Sequence, residues 1–430
     1  MQGTEKLAES FDPEIALLTG GGDRPYVYGL AKELLVRRIR VDLIGSDDLD
    51  FPDLRQSPEL NFLNLRGSSL SAVSVASKVG RILRYYLRLI GYAATTRTSI
   101  FHILWNNKFQ TIDRTLLMLY YRMLGKRVLL TVHNVNAARR DGNDSSLNRL
   151  TLRVQYILTD VLFVHTEGMR NELMKEFGVS DTKIVTIPFG INNSIPVTDV
   201  KPEAAKDQLQ IPPARRAILF FGNIKPYKGV DLLLNAFQAL MAKLPSCHLI
   251  IAGRPDNCDA YWNEIQRMVK IGVQEGRIHM HADFIPDESV ELYFKAADVA
   301  VLPYRHIYQS GVLFLAQSFG LPVITTRVGA LAEEIVEGEN GFVCEPENSE
   351  DLANKLEEYF ESPLYKELHA RRRLIREDAC RRHSWEIVGD KTLEAYAMLN
   401  GAAIRSQETR ATPSEDSLEE NLEMGCERKS

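Results

Sequence analysis

Residues 218–229 read Ile-Leu-Phe-Phe-Gly-Asn-Ile-Lys-Pro-Tyr-Lys-Gly, an apolar run, a glycine turn and a lysine just ahead of a helical segment that begins near Val230. A strand that ends in a permissive turn and meets a helix N-terminus gathers backbone N–H groups and a positive dipole end at one point. Lys228 adds a full charge there, Asn223 adds a side-chain donor, and Gly222 and Gly229 supply backbone freedom. The chemistry this implies is the binding of phosphate. The bland alternative is an ordinary strand–turn–helix with a solvated lysine.

Positioning such a group requires a sheet with helices on it, and the chain supplies two. Short apolar runs at Ile15–Thr19, Val41–Ile44, Ser99–Trp105, Arg127–Val132, Val161–Val164 and Ile184–Ile187 alternate with helical periodicity such as Tyr26–Arg37. That alternation predicts a parallel sheet covered on both faces. The pattern loosens after Pro188 through several prolines and asparagines, which reads as a linker carrying one short helix. It restarts with strands at Ala217–Phe221, His248–Ala252, Arg277–His281, Val299–Leu302 and Val323–Thr325. The expected fold class is α/β, with residues 1–200 and 201–384 forming two tandem Rossmann-like, doubly wound domains. A cleft then faces the carboxyl ends of both sheets, where ligands bind in such folds. Residues 401–430 form an acidic tail without an aromatic residue, expected to be disordered.

Composition narrows the function classes. A length of 430 residues suits two domains, and 45% hydrophobic with 25% charged residues is ordinary for a globular protein. A net charge of -5 argues against a nucleic-acid partner. Five scattered cysteines form no disulfide or zinc pattern, no signal pattern opens the chain, and no apolar run is long enough to span a bilayer. The expected place is the cytoplasm, or peripherally the inner face of the plasma membrane. Charge is uneven, because residues 71–155 hold fourteen Lys or Arg against three acids. Within them, residues 76–92 combine Val79, Ile82, Leu83, Tyr86, Leu87 and Ile90 with Lys78, Arg81, Arg84 and Arg88, a pattern suited to an anionic membrane surface. A surface helix with one core face is the plain alternative. Asp47-Asp48-Leu49-Asp50 reads as a solvated turn, and His279-x-His281-x-Asp283 as part of a strand rather than a metal site.

The segment 218–229 resembles the donor-phosphate loop of glycosyltransferase family 4, whose members have the two-domain GT-B fold. The likeness continues through His248–Gly253, Ala297–Pro303, Gly320-Leu321-Pro322-Val323, Glu333 to Gly338 and Asn340-Gly341. It also covers Leu18–Gly22, Val132-His133-Asn134 and Ile187-Pro188-Phe189-Gly190, so that roughly residues 15 to 400 are included. The resemblance implies a metal-independent hexosyl transferase (EC 2.4 class) that uses a nucleotide-diphosphate sugar as co-substrate and needs no other cofactor. It implies retention at the anomeric carbon and a role in surface polysaccharide or glycolipid biosynthesis, with a saccharide or lipid-linked acceptor. It further implies that the helix at 385–400 packs back on the first domain.

Carried residue by residue, Lys228 matches the lysine on the donor pyrophosphate, and His133 the histidine held near the reacting sugar, with Asn134 as companion. Asn223 stands where the family usually has Arg, and Lys225 is a possible substitute. Gly21 and Gly22 match close-approach positions, and Asp23 or Arg24 is expected at the acceptor. The family's Glu-x7-Glu pair is missing: anchored on Gly320, its positions hold Ile307 and Leu315. What remains is Tyr308-Gln309-Ser310-Gly311-Val312, whose N–H groups would bind the diphosphate with Ser310 as helix cap. Gln309 and Tyr308 would meet sugar hydroxyls. The missing carboxylates keep an alternative open, a non-catalytic relative that binds nucleotide sugar as regulator or scaffold. A sugar-nucleotide epimerase or hydrolase of the same fold would need cleft carboxylates, and the obvious candidates are absent from this chain.

Overall fold

The computed structural model describes residues 14–67, 75–191, 195, 197–256 and 258–411, with backbone alone at 75–78 and 400–411. Its first half holds seven strands: β1 (Glu14–Leu18), β2 (Arg40–Gly45), β3 (Leu60–Asn64), β4 (Ile100–Ile103), β5 (Arg127–Thr131), β6 (Val161–Val164) and β7 (Ile184–Thr186). They pair in parallel in the order β3-β2-β1-β4-β5-β6-β7. The second half holds β8 (Arg216–Phe221), β9 (Cys247–Ala252), β10 (Ile278–His281), β11 (Val299–Leu302), β12 (Val323–Thr326) and β13 (Gly341–Cys344), ordered β10-β9-β8-β11-β12-β13 and again parallel. Central strands such as β1 and β9 are buried along nearly their whole length, because helices cover both faces and no side chain has a wet side to occupy.

The helices that matter here are α1 (Arg24–Val36), α2 (Val75–Thr95), α3 (Ser146–Leu158), α4 (Glu167–Phe177), α5 (Val230–Lys243), α6 (Asp287–Ala296), α7 (Gly311–Ser318) and α8 (Trp385–Ala411). Strand order reverses beside β1 in the first sheet and beside β8 in the second. The loops at these two switch points are 19–23 and 222–229, the glycine-rich segments singled out above. The topology therefore puts them at the carboxyl edges where doubly wound sheets bind ligands.

α8 completes the first half. Trp385, Val388, Ala395 and Tyr396 join the apolar cluster on one face of the first sheet. The Tyr396 hydroxyl lies 2.7 Å from His102 Nδ1, and Lys391 Nζ donates to the Thr186 carbonyl at 3.0 Å.

Three details differ from expectation. β3 and β13 appear in neither predicted set. β3 is a half-exposed edge strand with two asparagines, and β13 is four residues long and begins at a glycine. α8 runs on to Ala411, into the stretch expected to be disordered; residues 412–430 lie outside the described residues.

Candidate functional site

Lys228 is 8% exposed, on a short turn that α5 continues. Gly229 makes this possible with φ +66, and a Cβ there would collide with the Pro303 carbonyl. Gly222, at φ +101, leaves open the space the amine uses, since a Cβ would stand 3.0 Å from Lys228 Nζ. The ammonium sits 5.5 Å from the Tyr304 ring centroid, and among the described residues no carboxylate pairs with it. Burial, and then the charges of Lys225 and Arg140, pull its pKa down from 10.5 to about 8. An unpaired buried cation is costly to keep, and it lines a cavity of about 370 Å³ between the two sheets.

The start of α7 lines the same cavity. Ser310, Gly311 and Val312 line it, and the first N–H groups of a helix have no intrahelical acceptor. Ser310 was expected to cap them through its side chain. Its hydroxyl instead reaches the Tyr304 hydroxyl at 3.5 Å and makes no cap bond, which leaves those donors to the cavity. Gln309 also lines the cavity, and its Oε1 is buried without a hydrogen-bond partner. Ile307 and Leu315 line the same cavity with apolar side chains.

Several expected residues are placed elsewhere. Tyr308 donates to Glu172 Oε1 of α4 at 2.8 Å, so it fastens the two halves rather than offering its hydroxyl to a sugar. Lys225 pairs with Asp256 at 2.8 Å, and neither it nor Asn223 lines this cavity. Arg24 bridges to Asp287 of α6 at 3.2 Å and donates to the Asp48 carbonyl at 3.0 Å, a contact between halves and not a free acceptor group. Gly21 and Gly22 are close-approach positions toward protein: a Cβ on them would strike the Arg66 guanidinium and the Trp105 ring. Asp23 does line the cavity, where enclosure by the walls, and then the charge of Asp287, push its carboxyl pKa up.

His133 is half-buried and is not among the residues lining this cavity, although its neighbour Asn134 is. Its ring stacks on Trp105 at 4.1 Å and meets the edge of Tyr26 at 4.8 Å. Burial and the neighbouring histidines hold its pKa well below the usual value, and burial holds His165 at about 4, so both rings are neutral near pH 7. The tautomers follow from the hydrogen bonds. His165 Nδ1–H donates to the Ile187 carbonyl at 3.3 Å, which leaves its Nε2 as an acceptor for His133 Nδ1–H at 3.2 Å. His133 Nε2 is then a bare lone pair, buried and without a partner.

Arg140 was not anticipated. It lines the cavity from the first half, donates to Asn134 Oδ1 at 3.3 Å, and lies 4.8 Å over the Tyr227 ring of the second half. The available signal was its membership of the basic run 71–155, where nothing local separates it from thirteen other cations. Asn134 lines the cavity beside it. A larger cavity of about 730 Å³ adjoins, sharing Arg140 and Ile307. Among the described residues no group of three or more His, Cys, Asp or Glu is arranged to hold a metal ion.

Comparison with known proteins adds the following. Residues 215–362 match a family model described as glycosyl transferases group 1, and residues 20–194 match one described as glycosyltransferase family 4. The chain is 27% identical over 238 residues to a D-inositol 3-phosphate glycosyltransferase of Corynebacterium aurimucosum, a match covering 54% of this chain and 55% of that one. It is 25% identical over 350 residues to the protein of the same name from Corynebacterium glutamicum, covering 78% and 82%. Among solved structures, sucrose-phosphate synthase from Thermosynechococcus elongatus superposes with a TM-score of 0.68 at 20% identity, covering 93% of this chain and all of that one. Anabaena HepE in complex with UDP and glucose gives 0.70 at 15% identity, covering 90% and 100%. At such identities the structural likeness concerns the fold, which is that of the GT-B enzymes.

Proposed function

Because the chain belongs to the group 1 and family 4 glycosyltransferases of GT-B type, we propose that it moves a hexosyl unit from a nucleotide-diphosphate donor to a saccharide or lipid-linked acceptor. The observation that carries this is Lys228, buried and, among the described residues, without a carboxylate partner, lining one cavity with the N-terminus of α7. A departing nucleoside diphosphate gains negative charge, so a fixed ammonium and aligned amides stabilise the transition state more than the ground state. Arg140, whose charge is partly met by Asp141 at 2.7 Å, brings a second guanidinium from the other half, and on this reading the protein's own charges make a metal unnecessary. The Anabaena neighbour holds UDP, or UDP-glucose, in its solved complexes, which supports a nucleotide sugar here.

Retention belongs to the same proposal. The acceptor oxygen attacks the anomeric carbon on the face the diphosphate leaves; as the C–O bond to phosphate breaks, the phosphate oxygen takes the hydroxyl proton. A second reading, nucleotide-sugar binding without turnover, rests on the apolar side chains at Ile307 and Leu315. A thermal-shift panel of uridine, guanosine and adenosine mono- and diphosphates tests the first step, since a ligand at a hundred times its Kd stabilises by about 2.7 kcal/mol. One diphosphate should raise the melting temperature well above its monophosphate. No shift with any diphosphate rejects the donor site, and binding without transfer or donor hydrolysis favours the second reading.

The acceptor side is proposed to lie on the anionic inner face of the plasma membrane, in the assembly of a surface polysaccharide or glycolipid. No helix among the described residues is long and apolar enough to cross a membrane. α2 exposes Leu83 and Leu87 beside Arg84 and Arg88. The helical stretch 110–123 lies against it, with Phe109 stacked on Tyr86 and the Tyr120 hydroxyl bonded to the Ile90 carbonyl. α3 follows, tied by Arg114 to Asn148. These neighbours expose Leu116, Met123, Leu150 and Ile157 as well. Apolar and basic side chains on adjoining helices suit an anionic bilayer. The double variant Leu83→Asp/Leu87→Asp is expected to lose co-sedimentation with anionic vesicles while keeping nucleotide affinity. Unchanged sedimentation would remove the membrane from the proposal.

A further inference from the structure

The cavity that holds Lys228 is not uniform in charge. Lys228 and Arg140 bring cations to it, and among the described residues its lining holds one acid, Asp23. Asp23 lies in the loop between β1 and α1, open to solvent, and its side chain makes no cap bond to α1. Among the described residues no cation pairs with it. Arg24, its neighbour in the chain, is held instead by Asp287 at 3.2 Å and by the Asp48 carbonyl at 3.0 Å. Enclosure by the cleft walls raises the Asp23 pKa, the Tyr26 amide lowers it and Asp287 raises it again, with no pull from Lys228 or Arg140. The acid thus sits apart from the two cations that share its cavity.

A second acceptor without a donor comes from the other half. Gln309 lines the same cavity, and its Oε1 is buried without a hydrogen-bond partner. Asn134 Oδ1, by contrast, already accepts from Arg140 at 3.3 Å. An ionised carboxylate offers only lone pairs, and one whose charge is held at a cost gains from any O–H group that donates to it. It repels a second carboxylate, the more so where walls exclude the solvent that would screen the pair. Once the diphosphate has met the cations, the group bonded directly to it is the one that reaches these two acceptors.

We propose that Asp23 reads the sugar of the donor, accepting hydrogen bonds from its hydroxyl groups and turning away a sugar that carries a carboxylate of its own. Gln309 Oε1 accepts from the same sugar across the cleft. The substrate class is then a nucleotide-activated neutral hexose, and a uronic acid is refused. This rests on the transferase reading above and concerns the sugar, neither the base nor the acceptor.

Calorimetry on the full chain with UDP-glucose and UDP-glucuronate tests it, because the two sugars differ only in a hydroxymethyl group against a carboxylate. GDP-mannose and GDP-mannuronate serve in the same way should the protein bind GDP and not UDP. The wild type is expected to bind the neutral sugar nucleotide at least about tenfold more tightly than the uronic one. Asp23→Asn keeps the shape and removes the charge, and should narrow that ratio about tenfold. Asp23→Ala should narrow it as far, and should also weaken the neutral sugar nucleotide relative to the bare diphosphate, since a sugar hydroxyl loses its acceptor. A wild type that binds both sugars equally, or variants whose ratio equals that of the wild type, overturns the proposal. A wild type that binds neither UDP nor GDP overturns the donor reading instead.

Discussion

Replacing Lys228 with Met will slow sugar transfer by about two to three orders of magnitude and, in the same variant, raise the melting temperature of the ligand-free protein. Both effects come from one ammonium. Its pKa falls from 10.5 to about 8, chiefly by burial, which corresponds to about 3 kcal/mol that the folded state loses by keeping the charge inside. Methionine fills a similar volume without that charge. The sign with pH follows from proton counting. Below pH 8 the lysine is protonated in both states and the full penalty applies. Between pH 8 and 10.5 the folded form has released a proton that the unfolded form still holds, so wild-type stability gains on the variant as pH rises. Nucleotide affinity runs the other way: above pH 8 the free protein presents a neutral amine, and UDP binding to the wild type should weaken while that of Lys228→Met stays flat. Melting curves and UDP titrations at pH 7 and pH 9 check all of this. Equal melting temperatures with equal UDP affinity would mean that the amine neither carries its charge inside nor meets the diphosphate.

Trp385→Ala is expected to cost about 3–5 kcal/mol of stability, the range for removing a large buried aromatic. The indole packs where Gly29 and Gly190 have no side chain, crosses the Tyr26 ring at 5.2 Å, and donates Nε1–H to the Ile191 carbonyl at 2.8 Å. It is the first residue of α8 and enters the cluster that the first sheet shares with that helix. Deleting it leaves a void at three contacts and a buried carbonyl unpaired. Trp385→Phe should recover most of the packing and leave a deficit of about 1 kcal/mol for the hydrogen bond. Chemical denaturation measures both. A loss under about 1 kcal/mol for the alanine variant would show that α8 is not what holds this face together.

The two sheets were legible because parallel strands buried on both faces must be written as apolar runs; β1 and β9 could hardly be anything else. β3 escaped because an edge strand with one wet face can use asparagine, and β13 because four residues after a glycine carry no period. Lys228 was legible for a local reason, since the glycines at 222 and 229 and the start of α5 lie within a few residues of it. The rest of the site depends on partners far along the chain. Tyr308 looked like a free hydroxyl until Glu172 was found beside it, 136 residues away. Gly21 and Gly22 looked like room for a ligand, and the room is taken by Arg66 and Trp105.

Local order in the chain thus determined the alternation of strand and helix, the two domains and the loop that carries the ammonium. These follow from backbone sterics and from which faces must be dry, and a few neighbouring residues settle both. Tertiary packing alone decided which charges stay uncompensated, that Arg140 crosses to Tyr227, and that the lone pair of His133 is set by His165 and the Ile187 carbonyl. Electrostatic and hydrogen-bond outcomes depend on what stands opposite a group in space, and that neighbour is chosen only when the sheets, α7 and α8 come together.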